Sequence, residues 1–166
     1  MRFNLIILLI VFPLSFFPLS YMAAADTVYL VRHAEKLAGA DDPGLTACGQ
    51  ARAKALATSL ADVKLVAVFS TPYQRTQQTA EAVAKQHQLA LTTYDPRQPE
   101  LLLEQLTAHS QPVLVVGHSN TVPQLVDLLS GIAMAPLTEQ DYDLLYRVKL
   151  TSPVSVSISR QSFRCR

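Results

Sequence analysis

The feature that most constrains this chain is an alternation: short apolar, β-branched runs stop at polar clusters, and each is followed by a stretch with helical spacing. Thr27 to Val31 reads as a strand that stops at Arg32-His33. A loop with Asp41, Asp42, Pro43 and Gly44 follows. Thr46 is then an N-cap for a helix on which Gly49, Ala53, Leu56, Ala57 and Leu60 recur along one side. Leu65 to Phe69 predicts a second strand, and Thr71-Pro72-Tyr73-Gln74 has the form of a capping box with proline at the first helical position. The helix it opens is expected to run to about His87. Leu89 to Tyr94 predicts a third strand, Pro99 to Ala108 a third helix and Val113 to Val116 a fourth strand. Thr121-Val122-Pro123-Gln124 caps a further helix with Val122, Leu125, Val126 and Leu129 on its apolar side. Asp143 to Lys149 and Val154 to Ser159 alternate in the β manner around Ser152-Pro153 and read as an edge hairpin.

This order of elements gives an α/β fold, a mainly parallel sheet flanked by helices with a C-terminal edge hairpin. With 166 residues and 49% apolar content the chain can bury one core. Residues 1–25 are read separately, as a signal peptide, with the domain at 26–166. Arg2 precedes an apolar run from Leu5 to Phe17, and Ala23 and Ala25 fit a small-x-small cleavage pattern, so the mature chain is expected to begin near Asp26. An uncleaved anchor is the competing reading, because the run approaches the roughly 20 residues that span a bilayer. Pro13 and Pro18 interrupt it. The expected location is periplasmic or secreted, with no membrane attachment after cleavage. A formal charge of +1 provides no broad basic face, so nucleic acid is not an expected partner. In an oxidising compartment Cys48 and Cys165 could pair, tying the first helix to the C-terminus, but two cysteines alone leave this open.

In parallel sheets ligands sit beyond the C-terminal strand ends. Arg32-His33 ends the first strand, Ser70-Thr71 the second and Gly117-His118 the fourth, so three polar clusters converge on one edge. Arginine suits a phosphate dianion because its planar fork pairs with two oxygens. Arg32 stands at the strand end. Arg75 falls in the first turn of a helix, where unpaired N–H groups already favour an anion, and the helix after His118 offers the same at Ser119 and Asn120. A histidine among arginines is held neutral and is able to attack phosphorus, the role assigned to His33. His118 would supply a further donor as charge develops on the oxygens. His87 and His109 fall near predicted helix ends and are assigned no role.

Val31-Arg32-His33-Ala34-Glu35-Lys36, Leu45-Thr46 with Gly49, Ser70-Thr71-Pro72 with Arg75-Thr76 and Thr79, and Val116-Gly117-His118-Ser119 together resemble the histidine phosphatase superfamily, also called the phosphoglycerate mutase-like family. The four elements occur in the family's order over most of the expected mature chain. The resemblance implies that His33 is phosphorylated and that Arg32, Arg75 and His118 hold the phosphate, to which the helix start at Ser119 is expected to add. It implies a phosphatase acting on small phosphorylated substrates or phosphohistidine proteins, with no cofactor and no metal.

One departure stands out. The acid phosphatase branch has an aspartate just after the second histidine, where this chain has Ser119-Asn120; the mutase branch takes a glutamate from before the fourth strand, where Asp95, Glu100 and Glu104 offer no clear match. Glu35, two residues past His33, is the acid favoured here, with Asp95 and Glu100 as alternatives. Gly117-His118-Ser119 is similar to a serine-hydrolase elbow, but no histidine follows Ser119 to complete that triad. The reading from another class is a phosphate-recognition module with little or no turnover.

Overall fold

The computed structural model describes residues 26–165; the expected signal peptide lies outside them. The elements in chain order are β1 (Thr27–Arg32), α1 (Ala47–Ser59), β2 (Ala67–Ser70), α2 (Gln74–His87), β3 (Leu91–Thr93), α3 (Pro99–Thr107), β4 (Val113–Gly117), α4 (Thr121–Ser130), β5 (Leu144–Lys149) and β6 (Ser155–Arg160). They build one mixed sheet in the order β3-β2-β4-β1-β5-β6, with β1 to β4 parallel and the β5–β6 hairpin antiparallel. The hairpin joins through β5, which pairs with β1, and β6 is the edge.

Strand alternation divides the apolar residues between two cores, because successive side chains point to opposite faces. Val31, Val68, Leu114 and Val116 meet Leu56, Ala80 and Val83 of α1 and α2, with Leu60 just past the end of α1. Leu30, Phe69, Val113 and Val115 meet Leu102, Leu106, Val122, Leu125 and Val126 of α3 and α4. Helices on both faces bury the central strands, and this is why those strands read as unbroken apolar runs. The chain leaves β1 toward β2 on one side and leaves β4 toward β5 on the other. The connections after these two neighbouring strands therefore part, to α1 on one face and α4 on the other, and open a crevice beyond their C-terminal ends.

Two caps explain how loops are drawn to that edge. Thr46 caps α1 as expected, accepting from the Gly49 N–H at 3.0 Å. The predicted capping box at Thr71 does not form: α2 begins at Gln74, and its N-cap Tyr73 supplies no side-chain acceptor. Instead the carboxylate of Asp42, in the distant loop after β1, accepts from the Gln74 N–H at 3.0 and 3.3 Å. Thr71, freed from capping, stands fully buried.

Gly49 lets α1 pass against the backbone that follows His33, since a β-carbon there would overlap the carbonyl oxygen of Glu35. Gly49→Ala is expected to cost about 1–3 kcal/mol, the usual range for overpacking. A urea unfolding midpoint that does not move would refute this close approach.

Candidate active site

Backbone register sets the site. Arg32 pairs with Gly117 across β1 and β4, and Ser70 with Val116 across β2 and β4. The His33 N–H continues the ladder onto the Gly117 carbonyl at 2.9 Å. His33, Thr71 and His118 therefore leave three adjacent strands at one level. The rings of His33 and His118 meet edge to face with centroids 5.6 Å apart. They line a cleft of about 400 Å³ with Arg32, Arg75, Tyr73 and Ser119.

His33 is 2% exposed. Its Nδ1 lies 2.8 Å from the Ala34 carbonyl oxygen, which only accepts, so Nδ1 carries the proton and Nε2 the lone pair. Burial, together with the charges of Arg32, His118 and Arg75, outweighs the Ala34 hydrogen bond and brings the His33 pKa down to about 3. His118 is brought down to about 4, first by burial and then by Arg75 and Arg32. Its Nε2 lies 2.9 Å from the Thr71 hydroxyl, and its backbone N–H donates to the Thr121 hydroxyl at 2.8 Å.

The two arginines are presented differently. Arg32 is 3% exposed, and a loop between α4 and β5 takes up its outer nitrogens. Its Nη1 donates to the Thr138 carbonyl at 2.6 Å and its Nη2 to Glu139 at 2.9 Å, while the Tyr142 ring lies 4.2 Å from the guanidinium. Arg75 has a 3.5 Å contact with Asp42 and stands over the Tyr73 ring at 4.6 Å. In both arginines Nε is buried and has no hydrogen-bond partner among the described residues. An unpaired buried N–H on a charged group is costly unless something accepts from it.

Of the residues expected at this edge, Arg32, His33, Arg75, His118 and Ser119 all line the cleft. Glu35 does not, and its expected place as an acid beside His33 is corrected here. β1 ends at Arg32, so strand alternation does not carry the side chain two residues past His33 back to the same side. Its carboxylate faces Arg52, with Nη2 at 2.6 Å and Nε at 2.9 Å from both oxygens. Asp95 and Glu100 are also outside this cleft. Asp95 is held below the usual carboxylate range by its hydrogen bonds from Arg97 and lines a neighbouring depression, and Glu100 is exposed on α3. Cys48 and Cys165 are bonded, with Cα atoms 5.7 Å apart. Among the described residues these sulfurs and Glu35 are the grouping spaced for a metal, but the bond and the Arg52 pair use them up.

Sequence reasoning missed Glu139 and Tyr142. They lie in a loop with no periodic pattern, and only the fold brings them over Arg32. Tyr73 and Arg97, which also line the cleft, were likewise unmarked. A proline after Thr71 was the one legible hint that the Thr71–Tyr73 segment is an ordered turn.

The sheet order, with a crevice beyond β1 and β4 lined by paired imidazoles and guanidiniums, gives the chain a phosphoglycerate mutase-like α/β fold. A family model described as histidine phosphatase superfamily (branch 1) matches residues 28–101. Rv0525 of Mycobacterium tuberculosis is 43% identical over 82 residues, a stretch covering 45% of this chain and 40% of that relative's length. Mycobacterial glucosyl-3-phosphoglycerate phosphatase Rv2419c, complexed with VO3, superposes with a TM-score of 0.67 at 12% identity over 83% of this chain and 100% of that one. The protein histidine phosphatase SixA, complexed with tungstate, gives a TM-score of 0.62 at 20% identity over 81% of this chain and 97% of that one. At those identities the structural matches speak to the fold. Residues 28–101 thus match the histidine phosphatase superfamily, and the chain shares the fold of these phosphatase structures.

The lowered histidine values carry a stability consequence. Unfolded histidine titrates near 6.5, whereas His33 and His118 are brought down to about 3 and about 4 in the fold. Between those limits the unfolded chain binds more protons, so their contribution to stability is complete above pH 6.5 and is lost as pH falls through the folded values. The melting temperature should fall between pH 7 and 4, and fall less in His33→Asn and His118→Asn. Equal acid sensitivity in both variants and the parent would contradict these values.

Proposed function

We propose that this protein is a phosphatase that hydrolyses phosphomonoesters or phosphoramidates through a phosphohistidine on His33. One observation carries the reading: the guanidinium groups of Arg32 and Arg75 border the same cleft as two histidines held neutral. A phosphoryl group supplies the compensating charge.

In this mechanism Nε2 of His33 attacks phosphorus while Nδ1–H stays on the Ala34 carbonyl. The N–P bond forms as the bond to the leaving oxygen or nitrogen breaks, and the leaving atom takes up a proton. Water then attacks the phosphohistidine, giving inorganic phosphate and returning the electron pair to Nε2. Arg32, Arg75 and His118 hold the equatorial oxygens, with the start of α4 at Ser119 beside them. Support for a phosphoramidate substrate comes from the fold shared with SixA, named a protein histidine phosphatase. A better leaving group also suits a site whose expected carboxylic acid, Glu35, is engaged elsewhere. That same diversion favours the second reading, a phosphate-recognition module with little turnover. Export through residues 1–25, to the periplasm or beyond, belongs to the proposal, and a purified protein whose mass does not begin near Asp26 would remove cleavage from it.

The test uses an aryl phosphate and the full chain. His33→Ala should abolish turnover, the parent should trap an acid-labile, base-stable phosphoenzyme, and Arg75→Ala should lose about 10²–10³-fold in kcat, as removal of an oxyanion donor does elsewhere. Undiminished turnover in His33→Ala would overturn covalent catalysis. Phosphate binding with no phosphoenzyme and no turnover would leave the recognition reading standing.

A further inference from the structure

We infer that Thr71 and Thr76 are positioning residues that fix the His118 proton on Nε2, so that a dianion enters the cleft together with a proton taken up at Nδ1. This rests on the phosphoryl-site reading above.

Three hydroxyl and imidazole groups share hydrogens along a chain beneath the cleft. The Thr76 hydroxyl lies 2.8 Å from the Tyr73 carbonyl oxygen and 3.0 Å from the Thr71 carbonyl oxygen. The Tyr73 oxygen already accepts from the Thr76 and Gln77 N–H groups, but the oxygen of fully buried Thr71 has no other donor among the described residues, so the Thr76 proton is committed there. The Thr71 and Thr76 hydroxyl oxygens are 2.8 Å apart. With the Thr76 proton committed, the contact is a bond only if Thr71 donates to Thr76. Thr71 then has no proton for His118, whose Nε2 lies 2.9 Å from the Thr71 hydroxyl. His118 must therefore be the donor there. Both threonines are fully buried, so water is not available to supply a substitute proton. The direction that leaves no buried oxygen of this chain without a donor is His118 Nε2–H to Thr71, Thr71 to Thr76, Thr76 to backbone.

A neutral ring with its proton on Nε2 has a lone pair on Nδ1. That atom makes no hydrogen bond among the described residues and is not one of the buried unpartnered atoms, so solvent reaches it from the cleft that His118 lines. A lone pair facing the oxygens of a dianion is repulsive. Protonation converts it into a charged donor. The groups around His118 explain why the proton is absent before the anion arrives. From β1 come His33 and Arg32, from the β2–α2 segment Thr71, Tyr73 and Arg75, and from the α4 start Ser119, Asn120 and Thr121. Lys36 and Arg97 are at the cleft wall, with Glu139 as its carboxylate. Cations dominate the empty site, and two negative charges reverse that balance.

Tungstate tests this, because it is a dianion near neutral pH and needs no leaving group. Calorimetric titration of the full chain at about pH 7, in buffers of different ionisation enthalpy, should show close to one proton taken up per tungstate. By linkage, affinity should then fall about tenfold per pH unit. His33→Asn should keep the uptake. Thr71→Val should bind tungstate with less than half of it, since the released ring can place its neutral proton on Nδ1, and Thr71→Ser should restore it. Nitrogen NMR of histidine-labelled parent protein should find the free-state proton of His118 on Nε2, a readout that needs no variant to fold. Failure to bind tungstate would overturn the phosphoryl site itself. Binding without proton uptake, uptake lost in His33→Asn or unchanged in Thr71→Val, or a proton found on Nδ1 would overturn this inference and leave the phosphoryl site intact.

Discussion

The parallel pairing of β1 with β4 is the constraint on which the site depends. Arg32 lies opposite Gly117, and the next amide, His33 N–H, bonds the Gly117 carbonyl. A one-residue slip would turn Arg32 and His33 to opposite faces, because side-chain direction alternates along a strand. The register is held by the apolar residues on either side of it. Val31 and Val116 are buried against α1 and α2, and Leu30 and Val115 against α3 and α4. Core packing on both faces thus decides where two imidazoles stand.

The electrostatics of the cleft follow from that placement. Burial first, and then the neighbouring Arg32 and Arg75 charges, keep both imidazoles neutral. The loop of Thr138, Glu139 and Tyr142 covers the outer face of Arg32 and leaves Nε directed elsewhere, unpaired. Glu139 is in turn held below the ordinary carboxylate range, chiefly by the Arg32 charge.

Two departures from local sequence rules lie beside this cleft. Thr71 has the right neighbours for a capping box, yet its hydroxyl serves His118 and Thr76, and Asp42 takes over the cap. Glu35 has the right spacing from His33 for an acid, yet Arg52 reaches it first from α1. Conflicts between local preference and global structure concentrate where function constrains the fold. In both cases the competing partner comes from a segment far away in the chain, and no local pattern marks it.

The sequence by itself determined the alternation of strands and helices, the edge at which the polar clusters arrive, and Arg32, His33, Arg75, His118 and Ser119 as the residues delivered there. Those depend on short-range properties: apolar period, capping residues and the point where each strand stops. Only the tertiary structure decided that Glu139 and Tyr142 close over Arg32, that Glu35 turns to Arg52, and that Cys48 meets Cys165. Each of those is a meeting of side chains from segments distant in the chain. Which partner wins depends on three-dimensional distance and burial, quantities that residue order does not carry.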